Sequence, residues 1–99
     1  MNIILSGSDG QLGKSIPALN NKKYNIIALN KNEFDITNSE KIKFYFNKYN
    51  PKILINTAAY TNVDKAEEDF KKAYEVNCYG VKNLALNCYL NNCLLIHFS

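Results

Sequence analysis

The chain has 99 residues and a net charge of +3, carried by 12 lysines with no arginine; 46 % of it is hydrophobic and 12 % aromatic. That length suits one domain with its own core and leaves no room for a second, the apolar content excludes a disordered tail, and no run approaches the ~20 apolar residues of a membrane helix. The lysines are scattered (Lys14, Lys31, Lys48, Lys65, Lys82) rather than banked on one face, which argues against a nucleic-acid surface with its clustered basic patch and arginine forks.

Residues 2–6 (NIILS) are a short apolar run stopped by Gly7 and predict a first strand. Residues 11–19 follow with Leu12, Ile16 and Leu19 at helical spacing, a helix that Pro17 shortens or kinks. Residues 24–29 (YNIIAL) predict a second strand and residues 33–36 (EFDI) a brief third. Thr37 and Glu40 have the spacing of a capping box, with Thr37 as N-cap, and Ile42, Tyr45, Phe46 and Tyr49 then repeat along one helical face until Asn50-Pro51. Residues 52–56 (KILIN) read as a fourth strand, apolar without alternation, as in a parallel strand covered on both faces. A helix start at residues 61–64 leads into a helical region to about residue 91, with Ala73, Asn77, Gly80, Leu84 and Cys88 on one face, and residues 93–98 predict a fifth strand. Strands alternating with helices across short linkers imply right-handed crossovers and an α/β, Rossmann-type doubly wound parallel sheet, strand order 3-2-1-4-5.

Three cysteines (Cys78, Cys88, Cys93) without a C-x-x-C pair support neither a disulfide framework nor a zinc site and suit buried reduced thiols. The opening MNIILSG enters a strand directly and lacks a charged region and a cleavage site, so the expected location is the cytoplasm.

The chemistry concentrates where strands hand over to the next segment. GSDGQLG, residues 7–13, joins the first strand to the first helix. Glycines at 7, 10 and 13 permit a tight turn, close approach to a pyrophosphate, and tight helix packing; an ordinary turn would not need all three. At the end of the second strand, where dinucleotide folds commonly carry an acid for the ribose hydroxyls, stand Asn30 and Lys31. A missing carboxylate relieves repulsion toward a 2′-phosphate and Lys31 can pair with one, which leans toward NADP with NAD as the alternative; Lys31 as a solvated loop lysine is the bland reading. Asp35 and Ile36 can meet an adenine amino group and ring, or Asp35 can simply help start the next helix. After the fourth strand, NTAAYT (56–61) carries the small residues Ala58 and Ala59, suited to a ligand at the strand ends or to packing alone. Asn77 and Gly80 read as architecture: a buried Asn bonding irregular backbone, and a glycine admitting close helix approach. His97 reads as a satisfied structural histidine.

SGSDGQLG, EFDIT, INTAAYTNVDKAEED, VNCYGVKNLA and LLIHFS resemble, in order and spacing, the start of the extended short-chain dehydrogenase/reductase family, most closely its branch of reductases for dTDP-linked 4-keto-6-deoxy sugars. The resemblance spans the chain, and NTAAYTNVDKAE is its discriminating piece. It implies that Gly7, Gly10, Gln11 and Leu12 lie on the cofactor pyrophosphate, and that Asp35 and Ile36 contact its adenine end. It places Ala59, Tyr60 and Thr61, with Phe98 close behind, beside the nicotinamide ribose. Asn30 departs from the acid usual in relatives. Some relatives use a glutamate in the first helix for a magnesium-linked dimer; Ser15 stands at that place, so neither metal nor that dimer is carried over, and a homodimer is left open.

Such reductases protonate the substrate oxygen with a Tyr-x-x-x-Lys pair aided by Ser or Thr. None of the seven tyrosines has a lysine four residues on; Tyr45, Tyr49 and Tyr79 have one three residues on. The expectation is therefore an amino-terminal part of an NAD(P)-binding Rossmann domain. Its catalytic residues, and the domain for the dTDP-sugar partner, lie outside residues 1–99. The alternatives are a sugar-nucleotide epimerase or dehydratase, and a non-catalytic dinucleotide-binding regulatory subunit.

Overall fold

A computed structural model describes residues 1–8, 14–16, 21–57 and 70–98. Its elements are β1 (Asn2–Ser6), β2 (Asn25–Leu29), α1 (Ser39–Tyr49), β3 (Ile53–Asn56), α2 (Phe70–Leu90) and β4 (Leu94–His97). The predicted helix over 11–19 falls mostly outside the described residues; within it, Lys14 and Ser15 are helical. The predicted helix start at 61–64 also lies outside them.

All strand pairs are parallel, in the order β2-β1-β3-β4. The α/β class holds, and the observed order keeps the 2-1-4-5 part of the expected 3-2-1-4-5; the third expected strand is missing, because residues 33–36 form no strand, so the sheet has four strands among the described residues. Local bonds to side chains and to the turn backbone compete with a ladder there. Asn30 N–H donates to a Glu33 carboxylate oxygen (3.1 Å) while Glu33 N–H donates to Asn30 Oδ1 (2.9 Å), and Phe34 N–H donates to Asn30 O (2.9 Å). Phe34 and Ile36 still point inward, at 1 % and 7 % exposure, so the strand-like alternation is satisfied by a turn.

The N-cap of α1 is Asn38, not Thr37: its side chain accepts from the amides of Glu40 (3.1 Å) and Lys41 (3.2 Å). Thr37 is unavailable because its hydroxyl is turned back onto Asp35 (2.7 Å). Asn50 closes the helix in the left-handed region (φ 44°), its N–H on Phe46 O, and Pro51 then sits buried. At the other helix end, Asn92 takes φ 52°, with Asn92 N–H on Tyr89 O (3.4 Å) and Cys93 N–H on Cys88 O (2.8 Å), which is a Schellman closure.

Register puts Ile4, Leu54 and Leu95 in one row across the sheet, on the face packed with Ile42 and Phe46 of α1 and Leu84 and Cys88 of α2. The opposite face carries Ile3, Ile53 and Leu94, then Leu5, Ile55 and Ile96, and its apolar row grows barer toward β4, where Leu94 is 60 % exposed. The last strand, read from sequence as part of a buried sheet, is thus an edge among the described residues. Within α2, Gly80, Leu84 and Cys88 are buried as expected, Asn77 is half-buried, and the Ala73 side chain lies outside what is described. Gly80 sets the approach of α2 to the turn before α1, since a Cβ there would overlap Cγ1 and Cδ1 of Ile36. The α2 asparagine that bonds the turn backbone ahead of α1 is Asn83, whose amide donates to Ile36 O (3.1 Å). Cys88 and Cys93 are buried free thiols; Cys78, expected to be buried, is exposed.

Candidate functional site

Parallel strands all aim their carboxyl ends at one edge. Here the chain leaves β1 for β2 on one side and later returns to place β3 on the other, so the switch point where such sheets bind ligands lies between the tips of β1 and β3. Gly7 stands at that point with φ 80°, a left-handed conformation that glycine adopts without steric cost, and it is buried. Its N–H and that of Ser8 both donate to Leu29 O (3.1 and 3.2 Å), folding the exit from β1 over the tip of β2. Gly10, Gln11, Leu12 and Gly13 lie outside the described residues, as do Ala59, Tyr60 and Thr61.

Across the switch point, Thr57 N–H donates to Ser6 O (2.9 Å), and the Thr57 hydroxyl is shared between Ser6 O (2.7 Å) and Gly7 O (3.0 Å). Beneath it, register aligns Ser6, Asn56 and His97 on three adjacent strands. Ser6 Oγ donates to Asn56 Oδ1 (2.6 Å), and Asn56 Nδ2 lies 2.9 Å from His97 Nδ1, which as acceptor leaves the ring proton on Nε2. Ser6 and Asn56 are fully buried, so these bonds form in a low dielectric and tie three strand tips together. His97 is therefore a partnered structural residue. Phe98 N–H donates to Asn56 O (3.0 Å), and the Phe98 ring is 44 % exposed at the same edge. His97 also borders a groove of about 490 Å³ with Asn77, Cys78, Val81, Lys82 and Ala85.

At the tip of β2, Asn30 is held by its reciprocal bonds with Glu33, and Lys31 is exposed in the turn. A carboxylate thus does stand at this tip: it belongs to Glu33, three residues past the expected position. The Asn-x-x-Glu spacing of residues 30–33, that of a capping box, was the signal that could have found it.

Asp35 Oδ1 accepts from the amide (3.0 Å) and hydroxyl (2.7 Å) of Thr37, so the carboxylate shapes the turn ahead of α1. The Thr37 hydroxyl holds the Asp35 carboxyl below its ordinary value of 3.8, burial opposes this, and the Thr37 amide with the charges of Lys31 and Lys41 adds to it. A carboxyl whose pKa is lowered by folding contributes stability above its unfolded pKa and loses it as pH falls through the folded one. Acid unfolding below about pH 3.8 should therefore be steeper for the natural chain than for Asp35→Asn, as followed by circular dichroism against pH. Ile36 turns its side chain to Gly80 on α2. The structure thus gathers Gly7, Asn30, Lys31 and Phe98 along one sheet edge, with Asp35 and Ile36 in the turn beyond it.

Among the described residues, no helix is long and apolar enough to cross a membrane. The family model described as RmlD substrate binding domain matches residues 1–99. The chain is 38 % identical over 99 residues to a dTDP-4-dehydrorhamnose reductase of Aggregatibacter actinomycetemcomitans, covering 98 % of this chain and 34 % of that protein. It superposes with a TM-score of 0.86 and 36 % identity on the dTDP-4-dehydrorhamnose reductase of Bacillus anthracis crystallised in complex with NADP, over 95 % of this chain and 34 % of that one. A dTDP-4-dehydrorhamnose reductase ortholog from Clostridium acetobutylicum gives 0.84 at 38 % identity, covering 96 % and 34 %. The chain spans about a third of the length of these relatives.

Proposed function

The chain belongs to the RmlD substrate binding domain family, and we propose that it is the cofactor-binding, amino-terminal part of a reductase that uses NADPH or NADH to convert dTDP-4-dehydro-L-rhamnose to dTDP-L-rhamnose. The observation that carries this reading is the buried, left-handed Gly7 at the switch point of a parallel sheet: only there can backbone approach a pyrophosphate closely without a side chain intervening. The residues fit a dinucleotide. Gly7, with Gly10, Gln11, Leu12 and Gly13, would hold its pyrophosphate; Asn30 and Lys31 its adenosine ribose; Asp35 and Ile36 the adenine end; Ala59, Tyr60, Thr61 and Phe98 the nicotinamide side.

When bound, the dihydronicotinamide supplies the hydride for the C4 ketone of the sugar. The part of this chain is to bind and orient. The Thr57 hydroxyl fixes the backbone at Gly7, and the Ser6, Asn56 and His97 bonds keep the strand tips from splaying beneath the ligand. Residues 1–99 contain no tyrosine with a lysine four residues on, so we place the proton donor, and the dTDP-sugar site, in residues outside them. Hydride transfer to a ketone needs that proton, so these 99 residues alone should bind cofactor without turnover.

Calorimetric titration with NADPH and with NADH is expected to show saturable binding at or below the millimolar range, and no response to either would overturn the cofactor reading. The two charges at the β2 tip set the preference between them. Removing the Glu33 charge with Glu33→Gln should favour NADPH over NADH by about three- to five-fold, and Lys31→Ala should shift the ratio the other way, as expected for single exposed charges. The substrate is tested by extending the chain to the length of its relatives and following NADPH oxidation with dTDP-4-dehydro-L-rhamnose.

A further inference from the structure

The Schellman closure at the end of α2 places two cysteines at its paired positions. Cys88 supplies the carbonyl and Cys93 the amide of the 2.8 Å hydrogen bond. In this motif, the side chains at those two positions face each other across the turn, where other helices put an apolar contact. Ordinary bond lengths on either side of the hydrogen bond hold the two Cα atoms within roughly 6.7 Å, inside the ~4.4–6.8 Å that a disulfide spans. Both side chains belong to the buried cluster under the sheet, and among the described residues the Cys93 thiol reaches only the Leu94 carbonyl (3.8 Å), a weak bond that exchange can break.

We propose that Cys88 and Cys93 are a redox modification site, closing into an intramolecular disulfide by exchange with a low-molecular-weight disulfide. The Cys93 thiolate attacks one sulfur of RSSR, forming a mixed disulfide and releasing RS⁻; the Cys88 thiolate then displaces the second RS⁻ and forms the Cys88–Cys93 bond. The two thiol protons end on the two released RSH molecules, and the two electrons lost by the cysteines reduce RSSR. The surroundings favour this order of attack. The neighbouring Cys88 thiol and the Lys52 charge draw the Cys93 thiol down against the opposing effect of burial, while Cys88 is pushed up by the Cys93 thiol and by burial.

Access is the slow step. Cys88 and Cys93 are 2 % and 8 % exposed, so reagent enters only when the last turn of α2 frays, and that turn carries the exposed Tyr89 and Leu90. Cys78, exposed on the same helix, provides an internal comparison for a freely accessible thiol.

Trypsin separates the two cases, because Lys72 and Lys82 bracket a peptide with Cys78 and the next peptide, from Asn83, carries both Cys88 and Cys93. The chain is incubated with oxidised glutathione, alkylated, digested and weighed. The peptide from Asn83 is expected to become about 2 Da lighter through loss of two thiol hydrogens, to resist alkylation, and to recover both thiols with dithiothreitol. The Cys78 peptide should react first, and as a mixed disulfide. With alkylation in urea, where burial protects no thiol, the proposal is overturned if the Asn83 peptide still alkylates twice after incubation far longer than Cys78 needs to react fully, if it stops at a glutathione adduct, or if it joins only to a second chain. Cys78→Ser, which leaves the pair untouched, must give the same closure.

Discussion

Gly80→Val is expected to cost the chain about 3 kcal/mol of stability, read as a lower midpoint in urea unfolding. The reason is local. A Cβ at position 80 would occupy space already filled by Ile36 Cγ1 and Cδ1, and Ile36, at 7 % exposure, has no solvent into which to rotate. The backbone cannot simply back away either, because Asn83, about one turn further along α2, is bonded to Ile36 O. Helix propensity does not offset the clash, since valine in a helix is only slightly better than glycine. A double-mutant cycle separates this mechanism from general helix damage. Ile36→Ala alone should cost about 2–4 kcal/mol as a core truncation, yet in the Gly80→Val background it should cost far less, because it vacates the volume the valine needs. Simple additivity of the two changes would refute the packing account.

The second large effect is at Asn56. Asn56→Leu keeps the size but removes the side-chain bonds to Ser6 and His97, leaving the fully buried Ser6 hydroxyl without the acceptor it now has. A loss of about 3 kcal/mol is expected, most of it the desolvation of polar groups that no longer pair. Ser6→Ala should be milder, because Asn56 keeps its contact to His97. If cofactor binding follows the geometry of the strand tips, Asn56→Leu weakens NADPH binding more than it weakens folding, and calorimetry at a temperature where the variant remains folded distinguishes the two. Equal affinity in the folded variant would show that the Ser6, Asn56 and His97 bonds serve stability alone.

What could be read in advance follows from how local each cause is. NIILS, YNIIAL, KILIN and LLIHFS were legible because a continuous apolar run has no better place than a two-sided sheet. EFDI misled because alternation is a statement about burial, and Phe34 and Ile36 are indeed buried; what cancelled the strand was Asn30, Glu33 and Asp35 bonding the local backbone. The cap moved by one residue for the same reason, Asp35 having already engaged Thr37. Gly80 was legible from helical periodicity, and Gly7 from its place between strand and helix. The Ser6, Asn56 and His97 alignment was out of reach, since it depends on register between strands some fifty residues apart in the chain. The Glu33 carboxylate at the β2 tip was within reach and missed, because an acid was expected at position 30 alone.

The edge strand has one more consequence. Leu94 N–H and Phe98 N–H point inward, onto Lys52 O and Asn56 O of the neighbouring chain segment, and parallel pairing turns the amides of Leu95 and His97 the opposite way, where no described strand receives them. With only the described residues pairing it, β4 is therefore expected to exchange its amides at two alternating rates, slow at Leu94 and Ile96 and faster at Leu95 and His97. Any segment that comes to cover this edge would erase the alternation by slowing only Leu95 and His97.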